Sequence, residues 1–392
     1  MRQYPDKKIY DMTCITPVFV GSGEVCSPAE YLYDRKKKYV YFPMERKWIQ
    51  FLYENDWMDE FSAYLSGKEK SKQVWEWMRN KGATEEKLAS LACAAVSADC
   101  DMLSKDKNSQ KPTLNQIHRL FHSADGRLYI PGSSLKGMFR TAILYCFVKE
   151  NSGLFLQEKE QLNRISQMKN WEKKKDKKSA WKDVAAKIEE KALRCLTLQE
   201  SEKKGAVHDV LRGLKVSDTF LDEDLCSKIV QRNDVVAEKK RNGQKCNPLP
   251  LYCESFKAGS KLRFSITLDK SMMKRIGISS IDQILENVSK HFHDIVQVQK
   301  NAFAEFLPYF ADAESADACL GGGTGFLQKT LWLALFDEKT ATQRIRDLLD
   351  LYFPKYKHAN DIRISPRTLK MVRTEGDLHM MGLVRFEEVS SE

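Results

Sequence analysis

The stretch "IPGSSLKGMFRTAIL", residues 130–144, constrains this chain more than any other. Its Pro-Gly-Ser-Ser turn interrupts regular structure, and behind it Leu135, Met138, Phe139, Ala142, Ile143 and Cys146 recur at three-to-four spacing. That pattern predicts a helix over 133–148 with one face committed to a core. Gly132 would let backbone approach closely, and Ser133 or Ser134 would cap the helix. The first-turn N–H groups and the positive end of the dipole favour an anion. Lys136 and Arg140, four residues apart and off the apolar stripe, would add two charges to the same site. Phosphate is the natural candidate.

The flanking elements alternate between periods of two and 3.6. "KIYDMTCITPVFV" alternates Tyr10, Met12, Cys14 and Thr16 as a strand, which the "GSG" at 21–23 ends, and "KYVYF" at 38–42 is a second extended run. About 45–105 the period is helical, giving an insertion of roughly three helices. Residues 154–205 read as helical and strongly basic, more in keeping with a solvated face than with a specific site. "GLKVSDTFL" is a short strand. Residues 231–253, with an Asn-Gly pair and two prolines nearby, suit a protruding hairpin. "KLRFSITLD" alternates Leu262, Phe264, Ile266 and Leu268, and 281–307 is a long amphipathic helix. "CLGGGTGFLQKTLWLALF" and a basic tail segment follow. Stripped of insertions the order is β-α-β-β-α-β, that of the ferredoxin-like fold used by RNA recognition modules. The expectation is an α+β fold in two halves, 1–213 and 214–392, with large helical insertions and a projecting thumb.

Across 392 residues, 42% apolar side chains and seven Trp supply a sizeable core. A net charge of +10 favours a polyanionic partner. The ten cysteines form no C-x-x-C pair and have no zinc-finger spacing, so they read as reduced thiols, and no metal or cofactor is implied. The start, "MRQYPDKKIYD", lacks a signal-type apolar region, and no run of 18 apolar residues occurs, which points to a cytoplasmic protein with no membrane association.

Neither glycine-rich stretch is a nucleotide P-loop. Lys136 precedes Gly137 with Met138 where a hydroxyl is wanted, and Gln328 stands where a glycine should precede Lys329. Gly321, Gly322, Gly323 and Gly325, interrupted only by Thr324, suit close passage of a phosphodiester backbone. Arg363, Arg367, Lys370 and Arg373 add a third basic element. Two separated anion sites in a basic chain suggest a polymer of phosphates, RNA or single-stranded nucleic acid.

At this point a resemblance becomes specific. "LYIPGSSLKGMFRTAI" following "ITPVFVGSGE" is similar to the signature of the RAMP superfamily, the repeat-associated RNA-binding subunits of CRISPR effectors. "KVSDTF", "ESFKAGSKLRFSITL", "GGGTGFLQKT" and the ending "SPRTLKMVRTEGDLHMMGLVRF" follow in the family's order, and the ensemble resembles the fifth subunit of type III-A, Csm-type, effectors. The resemblance implies a subunit that caps the 3′-end side of the complex, contacts the adjacent backbone RAMP subunit and supports maturation of the CRISPR RNA. Target RNA and host trimming nucleases are further implied partners. By position Ser133, Ser134, Lys136, Gly137, Arg140, Gly321, Gly322, Gly323, Thr324, Gly325, Lys329, Arg367 and Lys370 would bind RNA, and 231–253 would form the thumb.

The related backbone subunit cleaves target RNA with an aspartate in the loop after the first strand. Here the matching position falls near Ala29, with Glu24, Glu30 and Asp34 in the vicinity. Two histidine pairs are the other candidates: His118 with His122, spaced as on a helix, and His291 with His293, which would not share a helix face. No coherent catalytic set results, which leaves a RAMP-type endoribonuclease as the alternative to a binding subunit and a nucleotide enzyme as a more distant one.

Overall fold

A computed structural model describes residues 5–67, 73–104, 112–167, 174–196, 205–220, 226–237 and 246–389. A five-stranded antiparallel sheet carries the core: Leu214–Val216, Lys261–Leu268, Asp6–Cys14, Leu383–Glu388 and Ala318–Cys319, in that spatial order. The alternation in its central pair comes out as read, since Met12, Cys14, Leu262, Phe264, Ile266 and Leu268 are wholly buried. Two long helices, Gly132–Glu150 and Ile281–Ala302, share that core with the sheet. Phe139 of the first lies 6.4 Å from the ring of Phe264 and 6.1 Å from that of Phe386. Deleting so buried a ring typically costs about 3–5 kcal/mol. At the far ends of the helices Lys149 and Tyr145 both bond Asp294, at 2.6 and 3.1 Å, which fixes the pair against each other.

A second, ten-stranded sheet lies beside the first and draws strands from both halves of the chain. The arms of the expected hairpin are two of its members, Ser227–Val236 and Cys246–Phe256. The first is also paired with Thr368–Thr374 and Ala92–Ala98, the second with Ile117–His122. The Asn-Gly pair between them lies outside the described residues.

Three local readings are corrected. "GSG" opens a strand, Gly21–Cys26, that pairs with Ile117–His122, because Gly21 has a neighbouring strand to complete. The helical insertion ends at Ser90, with four short helices among its described residues, and Ala92–Ala98 continues as a strand against Tyr39–Pro43. Small residues there satisfied a helical count that sheet pairing overrides. His118 and His122 lie on a strand, not a helix.

Candidate nucleic-acid interface

The signature helix is capped from outside itself. Neither serine caps it; Pro131 stands at the N-cap, and the Gly132 N–H donates to Asp218 Oδ1 at 2.7 Å. Asp218 belongs to "KVSDTF" and occupies the end of the dipole where an anion was expected. Gly132 is required by that same neighbour, since a Cβ there would sit 2.3 Å from the Val216 carbonyl oxygen.

Lys136 and Arg140 face the same way. Lys136 Nζ donates to the carbonyls of Leu211 and Leu214 at 2.8 and 2.7 Å, and burial lowers its pKa. Arg140 pairs with Asp209 at 2.9 Å and Glu189 at 2.8 Å. Both side chains are thus engaged in fastening residues 209–214 and the helix Lys174–Leu193 to the signature helix. Arg367 is bound to Asp361 and to the Tyr356 carbonyl, and Lys370 chelates both oxygens of Asp234 at 2.8 and 2.9 Å.

The opposite face of the helix does something else. Ser134, Gly137, Met138 and Thr141 line one wall of a cleft of about 460 Å³, whose other walls include Val288, His291 and Phe292 and, from the glycine-rich segment, Gly321, Gly322, Thr324, Gln328 and Lys329. The two glycine-bearing segments therefore meet in a single site. Ser133 is exposed at the start of the helix, outside that lining.

The glycines of the turn serve mainly the protein's own packing. Gly321, at φ +91°, would place a Cβ 2.1 Å from the Phe19 carbonyl oxygen, and the Gly322 N–H donates to that oxygen at 2.7 Å. A Cβ on Gly323 would meet Met381 at 2.5 Å. Gly325 is held at φ +80°. Gly137 is mid-helix and, like Gly325, has nothing within 4 Å of where its Cβ would be, but unlike Gly325 it has no positive φ to account for it. A helix-interior glycine costs about 1 kcal/mol relative to alanine, and no contact among the described residues demands it.

Lys329 is the one cation lining the cleft, and it has no hydrogen-bond or ion-pair partner among the described residues. Burial lowers its pKa; Cys319 opposes the shift and the nearby Arg232 reinforces it. Arg232 itself, on Ser227–Val236, has a buried Nε without a partner. Two neighbouring cations with no ion pair among the described residues make a favourable place for a negative charge. Gln328 Nε2 and His291 Nε2 are also buried without partners. Sequence reading weighed Gln328 only as a break in a P-loop and His291 only as a possible base; Arg232 fell inside the expected thumb, 231–253, but was not singled out, because its unpartnered Nε depends on tertiary packing.

The catalytic candidates are scattered. Asp34 is buried and accepts the backbone N–H groups of Lys36 and Lys37, while Glu30 accepts that of Ser27. His122 lies 3.5 Å from Glu254, which also binds Arg119 at 2.7 Å; burial would raise the Glu254 carboxyl, but His122 and Arg119 bring it down to about 2. His118 packs its ring near Phe19, and His293 bonds back to its own helix at Ser289.

Comparison with known proteins gives this arrangement a class. A model of the RAMP superfamily matches residues 11–333, and the chain belongs to that superfamily. Among curated relatives it is 24% identical to the CRISPR system Cms protein Csm5 of Mycobacterium tuberculosis, over 96% of each chain. It is also 24% identical to the protein of the same name from Streptococcus thermophilus, over 83% of this chain and 81% of that one. Its fold is similar to a chain in a cryo-EM structure of a type III-A Csm–crRNA–target RNA ternary complex, with a TM-score of 0.65, 18% identity and coverage of 97% and 100%. It is likewise similar to the crystal structure of T. onnurineus Csm5, with a TM-score of 0.61, 16% identity and coverage of 95% and 99%. Among the described residues no helix is long and apolar enough to cross a membrane.

Proposed function

We propose that this chain is a non-catalytic RNA-binding subunit of a type III-A CRISPR effector, on the 3′-end side of the CRISPR RNA, where it contacts the adjacent backbone subunit and supports maturation of that end. The observation that carries the reading is the single cleft in which the signature helix and the glycine-rich turn converge beside Lys329, which has no partner among the described residues. Similarity to Csm5 proteins over most of the chain supports the particular subunit. The five-stranded sheet with its two helices serves as the ferredoxin-like platform, and the strands Ser227–Val236 and Cys246–Phe256 form the base of the thumb. RNA phosphates pass Ser134, Gly137, Gly321, Gly322 and Thr324 and meet Lys329 and Arg232. Lys136, Arg140, Arg367 and Lys370 act one layer back, holding the segments that shape the cleft.

Co-expression with the other Csm-type subunits, affinity capture and sequencing of the bound RNA test this. The wild-type chain should bring down guide RNAs with a uniform 3′ end. Lys329→Glu should leave that end heterogeneous, and in the isolated protein it should reduce the salt dependence of RNA binding by about one phosphate contact. Guide RNA of unchanged 3′ end in complexes carrying a folded Lys329→Glu chain would overturn the assignment of this cleft.

A further inference from the structure

We propose that the cleft takes an unstacked nucleobase of the bound RNA, whose edge is met by the side chains of Gln328 and His291. The inference rests on the reading above that the cleft holds RNA, and adds what part of the RNA enters it. A site for phosphate alone would be lined by cations and backbone N–H groups. Among the described residues this one has a single cation, Lys329, and its walls include Val20, Met138, Val288, Phe292 and Leu320. Apolar walls with a few convergent polar groups, in a volume of about 460 Å³, describe a pocket for a flat, uncharged ring.

The polar groups at its wall are the second observation. Gln328 is 8% exposed and His291 5% exposed, and each has a buried Nε2 with no partner. Buried donors and acceptors are almost always paired, and an orphaned one costs free energy that a ligand's complementary edge would recover. Burial pushes the His291 pKa down to about 4, so its imidazole is neutral near pH 7 and suits an uncharged base edge better than a phosphate. Among the described residues the titratable and charged groups around it are Tyr145, whose ring centroid lies 4.6 Å away, Asp294, which opposes the shift and is itself bonded to Lys149, and Lys329 in the same cleft lining. Gln328 directly precedes Lys329, so one short segment could present an amide to a base and an ammonium to its phosphate.

Anisotropy titration of the full-length protein with a short single-stranded RNA, intact or carrying one abasic nucleotide walked along its length, tests the idea. One abasic position should weaken binding roughly tenfold while its neighbours change it little. Gln328→Met, similar in length but without hydrogen-bonding atoms, should weaken the intact RNA and abolish that position's effect, with the salt slope unchanged. His291→Phe serves as a second variant should Gln328→Met fold poorly. Equal affinity for intact and abasic RNA at every position would overturn the base pocket and leave the RNA-binding reading standing. Absence of RNA binding even at low salt would overturn both. An abasic effect that persists in well-folded Gln328→Met and His291→Phe proteins would remove these side chains from the pocket.

Discussion

The two faces of the signature helix look onto surroundings that treat the same kinds of residue in opposite ways. On one face Gly132, Lys136 and Arg140 have every demand met from within: a backbone that a Cβ would strike, two carbonyls, two carboxylates. On the other, Gly137 faces empty space, Lys329 has no partner among the described residues, and Gln328 and His291 keep unpaired buried nitrogens. Satisfied polar groups on the first face hold the architecture together. Unsatisfied ones on the second are the groups on which the proposed RNA site rests.

The largest expected effect lies in the glycine-rich turn, where internal demand is strictest. Gly321→Ala must place a Cβ against the Phe19 carbonyl at a backbone angle that L-residues avoid, so it should destabilise the chain by roughly 3 kcal/mol or more. Urea unfolding measures this, and a loss below about 1 kcal/mol would mean the turn yields easily and is not held by its own packing.

Next comes Lys136→Met, which keeps the stem and removes the ammonium from the carbonyls of Leu211 and Leu214. Two lost charge-assisted bonds predict a stability loss of about 2 kcal/mol, while RNA affinity of the folded protein should stay within about twofold. The reverse pattern, full stability with RNA binding lost, would break the division between the two faces and return Lys136 to the interface.

Periodicity made the helices and the central strands legible through their buried stripes: Leu135, Phe139, Ala142, Ile143 and Cys146 on one helix, in whose second half Leu144, Tyr145 and Val148 are buried on the other sides too, and Ile284, Val288, Phe292 and Ile295 on the other. Glycine positions marked two segments that come together, since Gly137 of one and Gly321 and Gly322 of the other line the same cleft. Which cations face it was not legible. Lys136 and Arg140 have the right spacing for an anion, but spacing along a helix says nothing of what packs beside it, and residues 209–214 occupy that place. The orphaned state of Arg232, Gln328 and His291 is a property of tertiary packing, with no sequence counterpart.

The smallest change tests the comparison most directly. Gly137→Ala adds one methyl group to the cleft wall at a point where the protein itself has nothing within 4 Å. In the free chain it should stabilise by up to about 1 kcal/mol, because alanine removes the entropic cost of a helix-interior glycine. In the presence of RNA the same methyl group should stand where the strand passes and weaken binding several-fold. Few substitutions are expected to raise stability and lower affinity together, and thermal melts alongside anisotropy titrations read both. A rise in stability with unchanged affinity would show that the strand does not approach this wall. A fall in stability would show that the open space is needed by the fold, and the contrast between the two faces would fail.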